Sequence, residues 1–165
     1  MNKRSFLQLG IAAALMCSIG IASAQDKASQ KFIKEAAEGN LAEVQMGQMA
    51  QQNGQSADVK SFGQMLAQDH GQANQQLSSV AGNMGVQMPT EPNRKQKADY
   101  AKMAKMSGAK FDKAFAQHMV ADHKKDIRDF EKQSKKNDAA GQFAQQTLPV
   151  LRKHLETAQS LGKAR

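Results

Sequence analysis

The sequence predicts an all-α fold, an antiparallel four-helix bundle with a short extra helix in the long connection between the second and third long helices. Three observations carry this. Apolar residues recur at intervals of three and four through four long stretches. The chain is rich in Ala, Gln, Lys, Met and Glu, whose side chains lose little freedom in a helix. Val and Ile are sparse, and no Asn-Gly or Asp-Gly pair separates two alternating apolar runs, as a hairpin requires. Helices of ~25 residues are ~38 Å long, and four of them bury their apolar stripes only against one another.

The 165 residues suffice for one domain. Residues 1–24 read as a cleavable signal peptide and residues 25–165 as one helical-bundle domain. Lys3 and Arg4 supply a positive start, Phe6 to Ile21 an apolar run, and Ala22-Ser23-Ala24 the small residues that export peptidases accept. The run is too short and too interrupted to span a bilayer, which takes ~20 apolar residues. Lys3-Arg4-Ser5-Phe6-Leu7 is similar to a twin-arginine export signal with Lys in the first Arg position, a replacement that favours the ordinary unfolded route. Met16 before Cys17 is too large for lipoprotein cleavage, so the only cysteine leaves with the signal.

The first helix is expected from about Ala28 to Gln52, with Phe32, Ala36, Gly39, Glu43, Met46 and Ala50 on one face. Asn53-Gly54 then reads as a C-cap. Ser56 starts the second helix, which ends near Gly85 and turns Val59, Phe62, Leu66, His70, Ala73 and Leu77 inward. Pro89 and Pro92 mark a loop, and a short helix spans about Arg94 to Met106. Ser107-Gly108 breaks it. The third long helix runs from about Lys110 to Lys136, with Phe111, Phe115, Met119, Asp122, Asp126 and Phe130 on one face. Asn137 and Asp138 are fair capping residues. The last helix covers about Ala139 to Gly162, and Pro149 inside it is expected to kink or split it.

The two middle long helices contain a gapless repeat. Phe62-Gly63-Gln64-Met65-Leu66-Ala67-Gln68-Asp69-His70 aligns with Phe115-Ala116-Gln117-His118-Met119-Val120-Ala121-Asp122-His123, matching at Phe, Gln, Asp and His. Duplicated helix pairs with polar residues at mid-helix are how metal sites are built in bundles. Every long helix offers a candidate ligand half-way along: Glu43, then Asp69 and His70, then His118, Asp122 and His123, then His154. The expected cluster is Glu43, Asp69, His70, Asp122, His123 and His154, with His118 on the same face as Asp122.

The sequence also resembles an exported bacterial family, domain-of-unknown-function family 4142. The resemblance spans Phe32 to Leu161. It rests on Ala42-Glu43-Val44, on Val59-Lys60-Ser61-Phe62 leading to Asp69-His70, on Gly108-Ala109-Lys110-Phe111-Asp112, on Met119-Val120-Ala121-Asp122-His123, and on Leu148-Pro149-Val150-Leu151-Arg152-Lys153-His154-Leu155. It implies a ferritin-like bundle and carries no activity with it.

Two readings of the polar residues stay open. Imidazole and carboxylate without sulfur suit iron, manganese or zinc, and imidazole with Met thioethers suits copper. The ferritin-like di-iron pattern uses Glu and Glu-x-x-His, whereas this chain has Asp directly before His. Adjacent residues point ~100° apart, so Asp69 and His70 do not readily share one ion, and one is then a ligand while the other orients a neighbouring histidine. The alternative is a structural or envelope-stress protein whose buried His and Asp network fixes the bundle's register without metal. The methionines at 46, 49, 65, 84, 103, 106 and 119 read as pliable core.

Other chemistry is excluded by residue type. The mature chain has no cysteine, hence no disulfide or thiolate site. It lacks a Gly-rich phosphate loop, a His-Glu-x-x-His motif and a Gly-x-Ser-x-Gly elbow, and no enzyme is predicted. The formal charge is +8; the signal carries two basic and no acidic residues, which leaves +6 on the mature chain. That charge favours weak contact with anionic envelope surfaces. Without Trp and with one Tyr, the chain offers no stacking platform for nucleic acid. Oligomeric state leaves no mark on the sequence. The expected mature N-terminus is Gln25, and mass spectrometry of exported protein checks it. An intact Met1, or lipid on Cys17, would refute it.

Overall fold

The computed structural model describes the backbone of residues 18–163 and the side chains of residues 27–163. Most of the expected signal peptide, Cys17 included, lies outside the described residues. Five helices follow in order: α1 (Ser18–Asn53), α2 (Ala57–Asn83), α3 (Arg94–Met103), α4 (Gly108–Gln133) and α5 (Ala139–Lys163). No strand occurs among the described residues.

Short polar signals set the helix ends. Gly54 N–H closes α1 on the Ala50 carbonyl at 3.0 Å. Ser56 caps α2 by accepting the Val59 N–H at 3.2 Å. Asp112 on α4 reaches into the same turn and accepts the N–H groups of Gln55 and Ser56, both at 2.9 Å. α2 ends in a Schellman turn: Gly85 takes φ +64°, Gly85 N–H bonds the Gly82 carbonyl, and Val86 N–H bonds the Ala81 carbonyl. α3 opens on a capping box between Asn93 and Gln96. Asp138 accepts the Gly141 N–H at 2.7 Å to start α5, and also the Ser29 hydroxyl at 2.6 Å. Ser29 is the first buried residue of α1 among the described side chains.

The long helices pack around a square in the order α1, α2, α5, α4. Phe32 meets Phe130, while Met46 packs with Phe115 and Met119, so α1 and α4 are antiparallel. Phe62 and Asp69 meet His154 of α5, while Leu77 packs with Phe143, so α2 and α5 are antiparallel as well. α2 and α4 therefore run the same way and face each other diagonally. The connection between them must travel the length of the bundle, and α3 carries it along the side formed by α1 and α4. α1 and α2 approach closely through glycine: a Cβ on Gly63 would lie 2.6 Å from the Gly47 carbonyl oxygen, and one on Gly47 would meet the Gly63 carbonyl.

The apolar interior comes in two parts. One holds Phe32, Ile33, Leu77, Phe130, Phe143 and Leu151. The other holds Met46, Met49, Phe62, Leu66, Phe111, Phe115 and Met119. The apolar stripes alone predict one core joining Phe32, Phe62, Phe115, Phe130, Phe143 and Leu151, yet Phe62 and Phe115 lie in one part and the other four in the other. They divide because a layer of buried histidine and glutamate crosses the bundle between them.

Some boundaries also differ from the periodicity. α1 extends back to Ser18, ahead of the expected start, because the small and apolar residues preceding Gln25 also favour helix. α3 and α4 each stop three residues early. Ser134 to Asp138 is the turn that brings Asp138 to Ser29, and helix there would break that bond. α5 runs unsplit through Pro149. Pro149 and Gln145, whose carbonyl loses its helical partner, are both exposed, so the break in the hydrogen-bond ladder falls on the solvent face. Phe62→Ala and Phe115→Ala, both at buried sites, should each cost ~3–5 kcal/mol in urea denaturation. A loss below ~1 kcal/mol, the surface value, would place these rings outside the core.

Candidate metal centre

The layer between the two cores is built from one residue of each long helix: Glu43 on α1, His70 on α2, His123 on α4 and His154 on α5, all buried. The three imidazole centroids lie 5.3 to 5.7 Å apart. One ring nitrogen from each histidine lies within 4.8 Å of the other two. Because α2 and α4 run in the same direction, the sequence repeat places equivalent residues opposite each other. Phe62 faces Phe115 at 6.0 Å and His70 faces His123 at 5.7 Å.

Neighbours fix which nitrogen of each ring carries hydrogen. His154 Nε2 lies 2.9 Å from Asp69 Oδ2. A carboxylate only accepts, so Nε2–H donates and Nδ1 keeps its lone pair. His123 Nδ1 lies 3.0 Å from the Met119 carbonyl. That oxygen also only accepts, so His123 Nε2 is the bare nitrogen. His70 Nδ1 donates to Asn40 Oδ1 at 2.9 Å, and His70 Nε2 is buried without a hydrogen-bond partner. Two bare nitrogens, His123 Nε2 and His154 Nδ1, thus face each other at 3.3 Å. Two lone pairs at that distance make no hydrogen bond; they need a proton or a cation between them. Burial makes the proton unfavourable. It pushes His123 down to about 4, helped by His154. His70 is lowered well below its ordinary value by burial and then by the other two rings. His154 is lowered by burial against the pull of Asp69.

Carboxylates stand to one side of this triad. Glu43 Oε1 is 3.9 Å from His123 Nδ1, the nitrogen turned away from His154. Neither Glu43 oxygen has a hydrogen-bond partner. Burial raises its pKa well above the usual range, and the neighbouring Asp122 and Asp126 raise it further. Asp126 is pushed up to about 7, by burial and then by Asp122. Half-buried His118 shares a narrow cleft with Glu43 and Asp122. A larger pocket of about 240 Å³ opens between α1 and α4 beneath the start of α3, with His70 and Leu151 in its wall.

A model of the family described as a domain of unknown function (DUF4142) matches residues 19–161. The chain belongs to that family. No curated protein matches it. Two crystal structures share the fold. A DUF305 fragment from Deinococcus radiodurans has a TM-score of 0.73 and 14% identity, over 83% of this chain and 97% of that one. A candidate secreted DUF305 protein from Streptomyces coelicolor has a TM-score of 0.70 and 11% identity, over 82% and 92%.

In this DUF4142 chain the sequence-predicted residues separate into three roles. His70, His123 and His154 converge. Asp69 holds the far nitrogen of His154. Glu43, Asp122 and His118 form an adjoining acidic group outside the convergence point. Asn40 and the Met119 carbonyl, which orient His70 and His123, escaped sequence reasoning. Asn40 had a signal, since an Asn three residues before Glu43 in mid-helix is a poor helix former on an inward face. A backbone carbonyl has none.

The opposed shifts set a pH profile. Below about 6.5 the unfolded chain binds histidine protons that the native state refuses down to about 4 for His123, so stability falls on acidification. Glu43 and Asp126 act oppositely. The native state keeps protons that the unfolded chain has released, so stability falls as pH rises, up to about 7 for Asp126. Above the histidines' ordinary 6.5 only the acids act. Thermal melts of metal-free protein should fall off on both sides of a maximum lying between the about 4 of His123 and the about 7 of Asp126. In Glu43→Gln/Asp126→Asn the alkaline decline should disappear; its persistence would assign the decline to other groups.

Proposed function

We propose that this is an exported protein that holds a divalent transition-metal ion at mid-bundle through His70, His123 and His154. The observation that carries the reading is the pairing of inner and outer nitrogens. The outer ring nitrogens donate to fixed acceptors, Asn40 Oδ1, the Met119 carbonyl and Asp69 Oδ2, as the far nitrogens of metal-ligating histidines do. Those bonds leave the other nitrogens bare: His70 Nε2 is buried without a partner, His123 Nε2 and His154 Nδ1 face each other, and the three rings offer nitrogens within 4.8 Å of one another. The spacing fits as well. Two nitrogens at zinc distance, 2.0–2.1 Å in tetrahedral geometry, lie about 3.3 Å apart, and His123 Nε2 and His154 Nδ1 are 3.3 Å apart. A donor set of three imidazoles favours zinc or copper over manganese, which takes oxygen. The buried methionines pack with phenylalanines in one apolar core, which supports filler rather than thioether ligation.

Export rests on the signal-like residues 1–24. Cleavage before Gln25 would remove only residues upstream of Ser29, the first buried residue among the described side chains. No helix among the described residues is long and apolar enough to cross a membrane.

The test is elemental analysis of protein made without a histidine tag, with and without prior chelation, alongside melts with added zinc. Wild type should bind zinc and melt higher, since a ligand at 100 times its Kd stabilises by ~2.7 kcal/mol. His70→Ala and His154→Ala should lose both bound metal and the shift. If zinc leaves wild type unchanged and the variants only lose ~1–3 kcal/mol from broken buried hydrogen bonds, the layer is a metal-free device that fixes register.

A further inference from the structure

Two openings flank the histidine layer, and they differ in charge and in whether a histidine lines them. The pocket between α1 and α4 is lined by five carboxylates, Glu35 and Glu38 on α1 and Asp122, Asp126 and Asp129 on α4. Only two ammonium groups, Lys95 and Lys125, line it with them. This is a locally negative mouth on a chain whose formal charge is +8. Its wall includes His70, 4% exposed, whose bare Nε2 has no partner. The opening between α2 and α5 holds a single carboxylate, Asp69, and otherwise mainly glutamines and small residues. No histidine lines that opening, and Asp69, its one carboxylate, already accepts His154 Nε2–H.

We propose that the pocket between α1 and α4 is the loading vestibule through which a divalent cation reaches the histidine triad, with Asp126 and Asp129 as its gathering carboxylates and His70 as the first imidazole met. The proposal rests on the metal-binding reading above. Carboxylates at a recessed mouth concentrate cations and speed their capture, an effect that salt screens. Oxygen ligands hold a borderline metal less firmly than imidazole does, so the ion is passed inward. Lys125 opposes entry. Its ammonium lies 2.9 Å from Asp129 Oδ2 and 3.6 Å from Asp126 Oδ1. It is 61% exposed on a flexible stem, so it moves aside into solvent at little cost.

The test is stopped-flow mixing, at about pH 8 so that Asp126, pushed up to about 7, is ionised, of chelator-stripped, full-length mature protein with cobalt(II) chloride, whose bound form absorbs in the visible. Asp126→Asn/Asp129→Asn should slow association by roughly three- to tenfold at low salt, with most of the difference gone at high salt. Lys125→Gln should speed it. Asp58→Asn/Glu156→Gln removes the same charge away from this pocket and should match wild type. Vestibule variants that load at the wild-type rate, or a control pair that slows loading equally, would overturn the route while leaving the triad's binding intact. Wild type that takes up no cobalt or zinc would overturn the metal reading and the route with it.

Discussion

The 3.3 Å approach of two bare imidazole nitrogens, His123 Nε2 and His154 Nδ1, is the constraint around which the rest is arranged. Neutral imidazoles do not choose to point lone pairs at each other. They are made to, because each ring's other nitrogen is committed to an oxygen that can only accept: Asp69 for His154, the Met119 carbonyl for His123. Such commitments need rigid surroundings. The two apolar cores supply them from above and below, with Phe62 standing edge-on to His154 at 6.0 Å. A polar layer in the middle of a bundle interrupts apolar burial, and it persists where its groups are tied in place.

The repeat explains why the layer is lopsided. α2 and α4 run in parallel, so the two copies are related by an approximate two-fold axis along the bundle. His70 and His123 point toward that axis. The preceding aspartates, ~100° away around each helix, point outward to the neighbouring helix instead. Asp69 turns to α5 and finds His154, while Asp122 turns to α1 and finds Glu43. One side of the layer thus pairs an acid with a base. The other places an acid beside an acid, which adds to the burial that already keeps Glu43 from ionising, while His154 keeps a hydrogen-bonded proton on Nε2. The duplicated motif yields an imidazole triad with an acidic approach on one flank only.

That arrangement departs from the Glu and Glu-x-x-His geometry of di-iron bundles, where carboxylates at the axis bridge the ions. Here nitrogen occupies the axis and oxygen the flank. The fold shared with the two DUF305 crystal structures at 14% and 11% identity therefore speaks to the scaffold and leaves the chemistry to the residues held in it.

The sequence by itself determined the helices and much of their punctuation. Periodicity, Ser56, Gly85 and Asp138 act through contacts a few residues away, and such contacts are visible in a linear string. It also marked the residues of the polar layer, because charged and imidazole side chains on an apolar face stand out. Tertiary structure alone decided what those residues do. Which nitrogen of a histidine is bare depends on an acceptor from another helix, or on a carbonyl no residue type announces. That Phe32 and Phe62 belong to different cores depends on where the layer cuts the bundle. The direction of α4 relative to α2 decided that the repeat would bring His70 to His123, and the path of α3 decided that the acidic flank would become a pocket. These are relations between elements distant in sequence, set by how stripes pack in three dimensions.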